Sequence, residues 1–306
     1  MSLIAFLGAI EIGLIFALVA LGVFLSFRVL NFPDLTVDGS FPLGAATTAT
    51  LIVAGLDPVS ATLVGVAAGA LAGLVTAWLN VRFGILHLLA SILTMIALFS
   101  INLRIMGKPN VALINQDTVI GLFAWLSPVI EATGLPVRAT LKVMVLAIIV
   151  LIVGLVLGRF LTSEFGLAMR ATGANPRMAR AQGIPTTLHI YVGMALSNAL
   201  VALAGALFAQ TAGFADVTVG TGTIVSGLAA VILGETIFRT RSIVMMLLAC
   251  VIGAVLYRIA IALALNTGWL GLQSSDLNLV TAVLVGIALM LPGVRNPLKT
   301  LFRRSA

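Results

Sequence analysis

Charge is the scarcest property of this sequence. Only 9% of its 306 residues are Asp, Glu, Lys or Arg, whereas 61% are hydrophobic and the mean hydropathy is +1.21. Soluble domains consist of about a quarter charged residues, because their surfaces face water. The low charge therefore excludes a soluble globular domain and indicates a chain whose solvent is lipid.

Reactive and metal-binding side chains are also few. Cys250 is the single cysteine and lies in an apolar run, which excludes a disulfide framework and a thiolate metal site. His87 and His189 have no second ligand four residues away, so we expect two interfacial polar groups and neither a metal site nor an enzymatic centre. No G-x-x-x-x-G-K-[ST] phosphate loop is present, so we expect the chain to bind no nucleotide cofactor.

The net charge of +7 does not indicate nucleic-acid binding. The basic residues are scattered at the ends of apolar runs and form no patch with interleaved aromatic residues. Residues 1–25 are apolar from the start, without a basic segment or a convincing cleavage site, so they are expected to be a first span and not a signal peptide.

Long apolar runs predict an all-α polytopic transmembrane bundle of about nine to ten spans, a single transmembrane domain over residues 1–306. Pro33, Pro42 and Pro58 interrupt the pattern and one run is short, so a broken or re-entrant element is expected there. The nine runs are 3–25, 41–55, 58–80, 85–106, 140–161, 188–213, 220–238, 243–265 and 277–293.

The distribution of basic residues orients these spans with an outside N-terminus, because cytoplasmic segments carry the excess of Lys and Arg. Alternation from a cytoplasmic C-terminal tail gives twelve basic residues inside and five outside or at the outer face. The inside set is Arg28, Arg82, Arg159, Arg170, Arg177, Arg180, Arg239, Arg241, Arg295, Lys299, Arg303 and Arg304. The outside set is Arg104, Lys108, Arg138, Lys142 and Arg258.

Two four-span blocks, 3–106 and 188–293, flank one linking span, 140–161. An odd number of intervening spans would invert the second block, and short Gly- or Pro-interrupted segments at matching positions of inverted repeats indicate a substrate route. The residues predicted to line it are Asp38, Gly39, Ser40, Gly220, Thr221 and Gly222. For Asp38, capping of a half-helix N-terminus is favoured over contact with substrate.

Glycine is abundant, with 30 residues. Gly65, Gly69 and Gly73 have the small-xxx-small spacing that lets membrane helices pack closely. Helix contact and exposure to lipid are both open for each of them.

A polar cytoplasmic loop, residues 162–187, carries helix signals of its own. Glu164 to Arg170 predict a short helix ended by Gly173. Asn175 is a good N-cap for a second helix that starts at Pro176 and closes at Gly183. The second helix mixes Arg177 and Arg180 with Met178, Ala179 and Ala181. Such a helix suits docking in a groove on another protein, and a basic loop at the lipid headgroups is the alternative.

This loop resembles the coupling loop of binding-protein-dependent ABC permeases of the branched-chain amino acid and ribose type. The resemblance rests on Glu164-Phe165-Gly166, on Arg170-Ala171-Thr172-Gly173-Ala174-Asn175 and on Ala179-Arg180-Ala181-Gln182-Gly183-Ile184. The runs Asp38-Gly39-Ser40 and Ala229 to Gly234 extend it over most of the chain. Residues 31–41 look most like the tryptophan-type branch. Glu235 departs from the family, in which a second glycine often follows Gly234; pairing with Arg239 is one explanation.

The resemblance implies a permease subunit of an importer in the bacterial inner membrane. Two copies would flank a central route for a small solute, expected to be an amino acid. ATPase subunits would carry the ATP and Mg, and an external solute-binding protein would deliver the substrate. The residues implied in ATPase coupling are Glu164, Gly166, Arg170, Ala171, Gly173, Asn175, Arg177, Met178, Ala179, Arg180 and Gly183.

Two rival functions remain. An ion-coupled secondary transporter also uses repeats and broken spans, but it needs an acid deep in a span, and only Glu11 is well placed. A channel or structural membrane protein would leave the ordered loop 162–187 unused. The outer segment 108–138, with Trp125, is either a docking face for a binding protein or part of an interfacial aromatic belt.

Overall fold

A bundle of apolar helices forms the protein. The computed structural model describes residues 3–131, 135–238, 240, 242–266, 283 and 286. Within these residues six helices are long and apolar enough to cross a membrane. They are Leu3–Val29, Pro58–Phe83, His87–Met106, Val137–Thr162, Thr186–Ala212 and Ile243–Ala264. The polytopic helical prediction is therefore confirmed. The predicted run 277–293 and the tail after it lie outside the described residues, apart from the isolated positions 283 and 286.

The helices follow the chain in the order α1 to α11. Their bounds are α1 Leu3–Val23, α2 Val37–Val53, α3 Pro58–Phe83, α4 His87–Met106, α5 Ser127–Glu131, α6 Val137–Thr162, α7 Glu164–Ala174, α8 Pro176–Ala181, α9 Thr186–Ala212, α10 Thr223–Ile237 and α11 Ile243–Asn266. A π-helical turn, Phe24–Val29, continues α1, and a 3₁₀ turn, Gly121–Leu126, precedes α5. The strands β1, Asn110–Ala112, and β2, Phe214–Asp216, pair antiparallel.

The two predicted runs 41–55 and 220–238 are the short helices α2 and α10, of 17 and 15 residues. At a rise of about 1.5 Å per residue they fall short of a hydrocarbon core of about 30 Å. Non-helical backbone precedes each of them, residues 31–35 before α2 and residues 217–222 before α10. Such backbone is tolerated at membrane depth where protein buries it, and Asp34 and Thr36 are indeed fully buried.

The helices α1 and α9 form the centre of the bundle. Residues 17–21 of α1 are fully buried, and α9 packs on α1, α2 and α3. In contrast, α3, α4 and α6 expose large apolar side chains, among them Leu63, Ile96 and Leu155. These exposed faces are the surfaces expected toward lipid or a second subunit.

Glycines decide how closely α3 approaches its neighbours. An added Cβ would meet the Thr48 hydroxyl at Gly65, the Ala202 side chain at Gly69 and the Met194 carbonyl at Gly73. The small-xxx-small stripe is therefore a helix contact with α2 and α9, and the alternative of exposure to lipid is wrong.

Candidate functional site

The helix α7 begins directly where α6 ends, at the predicted cytoplasmic end. The Ser163 hydroxyl accepts a hydrogen bond from the Gly166 N–H at 3.3 Å and so caps the helix. The helix runs on to Ala174, so the prediction that Gly173 ends it is wrong. Gly173 keeps a helical backbone. The absence of a side chain there allows a close contact with another segment, and no left-handed turn is formed.

Two glycines of α7 allow its backbone to lie in close contact with the bundle. A Cβ at Gly173 would overlap the Val29 carbonyl and the Leu30 backbone, where the π-helical turn ends. A Cβ at Gly166 would overlap the Phe160 carbonyl and the backbone of Leu161. Larger residues would force backbone shifts, so these contacts fix α7 against the ends of α1 and α6.

Side chains complete the seat of α7. Met169 is fully buried in the core. The Phe165 ring stacks on the His189 ring with centroids 4.4 Å apart, and His189 Nδ1 lies 2.9 Å from the Pro185 carbonyl oxygen. His189 is buried within the protein, near the start of α9.

The helix α8 follows after one residue and is capped as the sequence predicts. Asn175 Oδ1 accepts from the Met178 N–H at 3.1 Å, and Pro176 occupies the first helical position. Gly183 has a φ of +80° and closes the turn, with its N–H 3.0 Å from the Arg180 carbonyl oxygen. The helix pair α7–α8 is therefore ordered by its own sequence.

The exposed part of this pair is mostly α8. Among the residues predicted to couple to an ATPase, Gly166, Gly173 and Ala179 are buried and Arg170 is half-buried. The remaining ones are exposed: Glu164, Ala171, Asn175, Arg177, Met178, Arg180 and Gly183. Met178 is 62% exposed and lies between two arginines, so α8 presents an apolar tip with basic flanks.

A cavity of about 860 Å³ opens beside α7 at the same end. Arg170 and Gly173 line one side, and Arg28 and Glu235 line the other. Arg28 Nη2 donates to Glu235 Oε2, joining the π-helical turn to the C-terminal part of α10. The partner of Glu235 is therefore Arg28, whereas Arg239 lies outside the described residues.

The starts of the two short helices meet inside the bundle. Asp38, in the first turn of α2, accepts from the Ile224 N–H at 2.7 Å and from the Gly222 N–H at 3.2 Å. Its carboxylate thus caps α10 and not its own helix. A Cβ at Gly220 would overlap the Asp38 carbonyl, so Gly220, Thr221 and Gly222 lie against Asp38 and Gly39. We call this meeting point the broken-helix junction.

A cavity of about 380 Å³ lies at the broken-helix junction. It combines the predicted residues Asp38, Gly39 and Thr221 with one face of α4. The other lining residues are Pro42, Met95, Ile96, Phe99, Ser100, Asn102 and Val217. Sequence reasoning missed the α4 residues, because that helix resembles an ordinary lipid-facing span.

Ser40 points into a separate buried network. Its hydroxyl donates to Asn198 Oδ1 at 2.7 Å, and Asn198 Nδ2 donates to Asp34 Oδ2 at 2.8 Å. The Thr36 N–H donates to Asp34 Oδ1 at 2.9 Å. This network fixes residues 31–36 on α9, which is the physical reason that irregular backbone is stable there. Sequence reasoning assigned no role to Asp34 or Asn198.

Two basic residues, Lys142 and Arg258, pack within the bundle. Lys142 Nζ lies 3.4 Å from Glu11 Oε1 and donates to the Thr211 carbonyl at 2.7 Å. The guanidinium carbon of Arg258 lies 3.7 Å from the Phe16 ring centroid, a cation–π contact within the bundle. Arg258 is therefore packed against α1.

The end opposite α8 carries the β1–β2 ribbon and the outer segment. Gln210 Oε1 accepts from the Val119 N–H at 2.8 Å, and Gln210 Nε2 donates to Thr62 Oγ1 at 2.9 Å. Hydrogen bonds from the Thr218 side chain and N–H hold the pKa of the Asp216 carboxyl below its usual range. Trp125 is 70% exposed, so it is free for docking or for an aromatic belt.

These features are typical of an integral membrane permease, a transport subunit. The membrane-crossing helices are apolar, two short helices meet beside a cavity, and an ordered helix pair projects at one end. The chain matches the family of branched-chain amino acid transport system permease components over residues 6–292. It belongs to that family and is a multi-pass plasma-membrane permease of the ABC type.

Individual relatives agree with this assignment. The tyrosine transport system permease protein of Clostridioides difficile (strain R20291) is 37% identical over 283 residues, which are 92% of this chain and 89% of the relative. The D-allose transport system permease protein AlsC of Escherichia coli (strain K12) is 31% identical over 229 residues, 72% of this chain and 64% of the relative. An uncharacterised protein of Rickettsia prowazekii (strain Madrid E) is 33% identical over 288 residues.

One solved structure shares the fold. PsaBC from Streptococcus pneumoniae in complex with Fab superposes with a TM-score of 0.50 and covers 93% of this chain and 89% of that chain. Its sequence is 16% identical, so the likeness concerns the fold alone.

Proposed function

We propose that two copies of this chain form the translocation route of an ABC importer for an amino acid. ATPase subunits would bind α7 and α8, and an external binding protein would deliver the substrate. The observation that carries the proposal is the close packing of Gly173 against the Val29 carbonyl. It makes α7–α8 a rigid lever and not a loose basic loop.

A continuous series of contacts leads from the lever to the broken-helix junction. A movement of α8 would displace α7, and through Gly173 it would displace the π-helical turn. That turn is joined by Arg28 to Glu235, near the end of α10. The other end of α10 is capped by Asp38 at the junction cavity. A packed path of this kind transmits strain, because close-packed interiors deform little.

The surface of α8 favours a protein groove over lipid headgroups as its partner. The Met178 side chain is 62% exposed between Arg177 and Arg180, so α8 offers an apolar side chain as well as positive charge. An exposed apolar anchor with polar flanks is the usual composition of a docked helix.

An amino acid substrate is supported by two independent features. The relative with 37% identity is a tyrosine transport system permease. The junction cavity combines a carboxylate, an amide, hydroxyl groups and the Phe99 ring, which suits a small molecule with a charged and an apolar part. An aromatic amino acid is therefore the first substrate to test.

The ion-coupled alternative receives less support from the geometry. Glu11, the acid well inside a predicted span, is paired with Lys142. Asp38 is held by two backbone N–H groups as a helix cap. Neither acid is arranged as a simple carrier of a coupling ion.

Reconstitution separates the two functions. The permease is co-expressed with a candidate ATPase and a candidate binding protein, purified, and placed in proteoliposomes with radiolabelled L-tyrosine, L-tryptophan and L-leucine. We expect uptake that requires internal ATP and persists with a protonophore and without a sodium gradient. Uptake that depends on an ion gradient and needs no ATP would contradict the proposal and support ion-coupled transport.

A further inference from the structure

The junction cavity contains a buried polar atom that lacks a partner. Asn102 of α4 is fully buried, and its Nδ2 donates to the Gly39 carbonyl at 3.3 Å. Its Oδ1 has no hydrogen-bond partner among the described residues. Reversal of the amide would place two oxygens against each other at Gly39, so this orientation is the one that the contacts favour. A buried acceptor without a donor costs free energy, which a ligand that donates to it would recover.

The same cavity contains a carboxylate without a cation. Each oxygen of Asp38 accepts one backbone N–H, whereas an ionised carboxylate has about four acceptor positions. Over residues 3–131, 135–238 and 242–266, no basic side chain forms an ion pair with it. The residues that line this space of about 380 Å³ therefore include both the Asp38 carboxylate and Asn102, whose side-chain oxygen has no partner in the described part of the chain.

We infer that this cavity is a subsite for the primary ammonium group of the transported amino acid. Asn102 Oδ1 accepts one hydrogen bond from the ammonium, and Asp38 supplies the opposite charge. Three donors and one positive charge match an ammonium group better than a hydroxyl, which has one donor and no charge. Met95 and Phe99 line the same cavity and offer apolar surface to the substrate side chain. The inference rests on the proposed amino acid transport and names the part of the substrate that this chain recognises.

Cysteine labelling tests the subsite without ATP or a binding protein. Ser100 is exposed and lines the cavity, so Ser100→Cys places a thiol on its wall. The native Cys250 is buried and is not expected to compete. The reagents are a cationic trimethylammonium methanethiosulfonate and an anionic sulfonate analogue. Tyramine, with an ammonium and no carboxylate, and 3-(4-hydroxyphenyl)propanoate, with a carboxylate and no ammonium, serve as protecting ligands.

We expect the cationic reagent to react faster and tyramine, but not the propanoate, to slow it. Asn102→Leu should raise the tyramine concentration needed for protection about tenfold or more, since a hydrogen bond to a charged group is lost. Thr94→Val is the matched control, because the Thr94 hydroxyl bonds only its own helix at the Ala90 carbonyl and lies away from the cavity. If Asn102→Leu does not fold, Asp38→Asn should remove the preference for the cationic reagent.

The inference is overturned by equal protection from both ligands, or by tyramine protection that Asn102→Leu and Asp38→Asn leave unchanged. The proposed function fails separately, if proteoliposomes of the unmodified protein take up no amino acid with ATP. If tyramine protects the cavity but the protein shows no ATP-driven uptake, the cation site is supported and the importer function is rejected.

Discussion

Gly173 of α7 lies against the backbone carbonyl of Val29, where the first membrane span ends, with no room for a methyl group between them. The contact joins the exposed helix pair to the end of the span that contains the buried helix α1. Rigid contact at this point is what a lever needs, because a flexible loop would absorb a push from a partner.

Replacement of Gly173 by Ala tests that contact. The added methyl overlaps Val29, and overpacking of this kind costs about 1–3 kcal/mol and shifts the backbone of α7. We expect ATP-driven uptake to fall strongly while membrane insertion persists. Gly154→Ala in α6 is the matched control, since a Cβ there meets nothing within 4 Å. Equal uptake by Gly173→Ala and Gly154→Ala would show that the close contact between α7 and Val29 is not needed for transport.

Loss of the Asp38 cap should affect transport and stability together. Asp38→Ala removes both acceptors at the start of α10, a loss of about 0.5–2 kcal/mol. Asp57 also caps a helix, but its own: it accepts from the Val59 and Ser60 N–H groups at the start of α3. We expect Asp57→Ala to lower the thermal unfolding midpoint by a similar amount and to leave uptake near normal. Uptake that falls equally in both variants would argue against a special role of the junction.

The buried network around Asp34 predicts a larger effect on stability. Asn198→Leu leaves the Asp34 carboxylate and the Ser40 hydroxyl without their partner in a fully buried site. An unsatisfied buried charge costs about 3 kcal/mol or more. Thermal unfolding in detergent should show a marked loss. Asn80→Leu is the comparison, because Asn80 donates one bond to the Ile85 carbonyl in a partly exposed site and should cost less.

The pair of Glu11 and Lys142 separates ATP-driven from ion-coupled transport. Either single change, Glu11→Gln or Lys142→Met, leaves a partly buried charge unpaired and should destabilise the protein. The double variant removes both charges and should restore most of the stability. We expect the double variant to keep ATP-driven uptake. Loss of uptake in a well-folded double variant would favour a role for Glu11 in ion coupling.

Composition and local signals were sufficient for the fold class and the helix pair. Lipid-exposed spans follow from apolar runs, and the α8 caps follow from Asn175, Pro176 and Gly183, because a cap depends on residues close in the chain. The broken starts of α2 and α10 were predicted for the same reason. Short apolar runs that proline or glycine interrupts, at corresponding places of two repeats, indicate broken membrane helices.

Long-range contacts were beyond the reach of the sequence. Nothing near Asp38 indicates that it caps a helix 186 residues further on, and nothing near Glu235 indicates Arg28 as its partner. Gly173 was predicted as a helix end, since its local sequence does not show the carbonyl packed against it. Asn102 was missed because a single amide in an apolar span has no local pattern.

Site-directed crosslinking from α8 tests the central claim most directly. Met178→Cys places an exposed thiol at the tip of α8, and the buried Cys250 is not expected to interfere. Trp125→Cys, exposed at the opposite end, is the matched control. With a membrane-permeable bifunctional reagent, coupling through α7 and α8 predicts a crosslink to the ATPase from Met178→Cys and none from Trp125→Cys. A crosslink to the ATPase from Trp125→Cys alone, or from neither position in an assembled transporter, would contradict it.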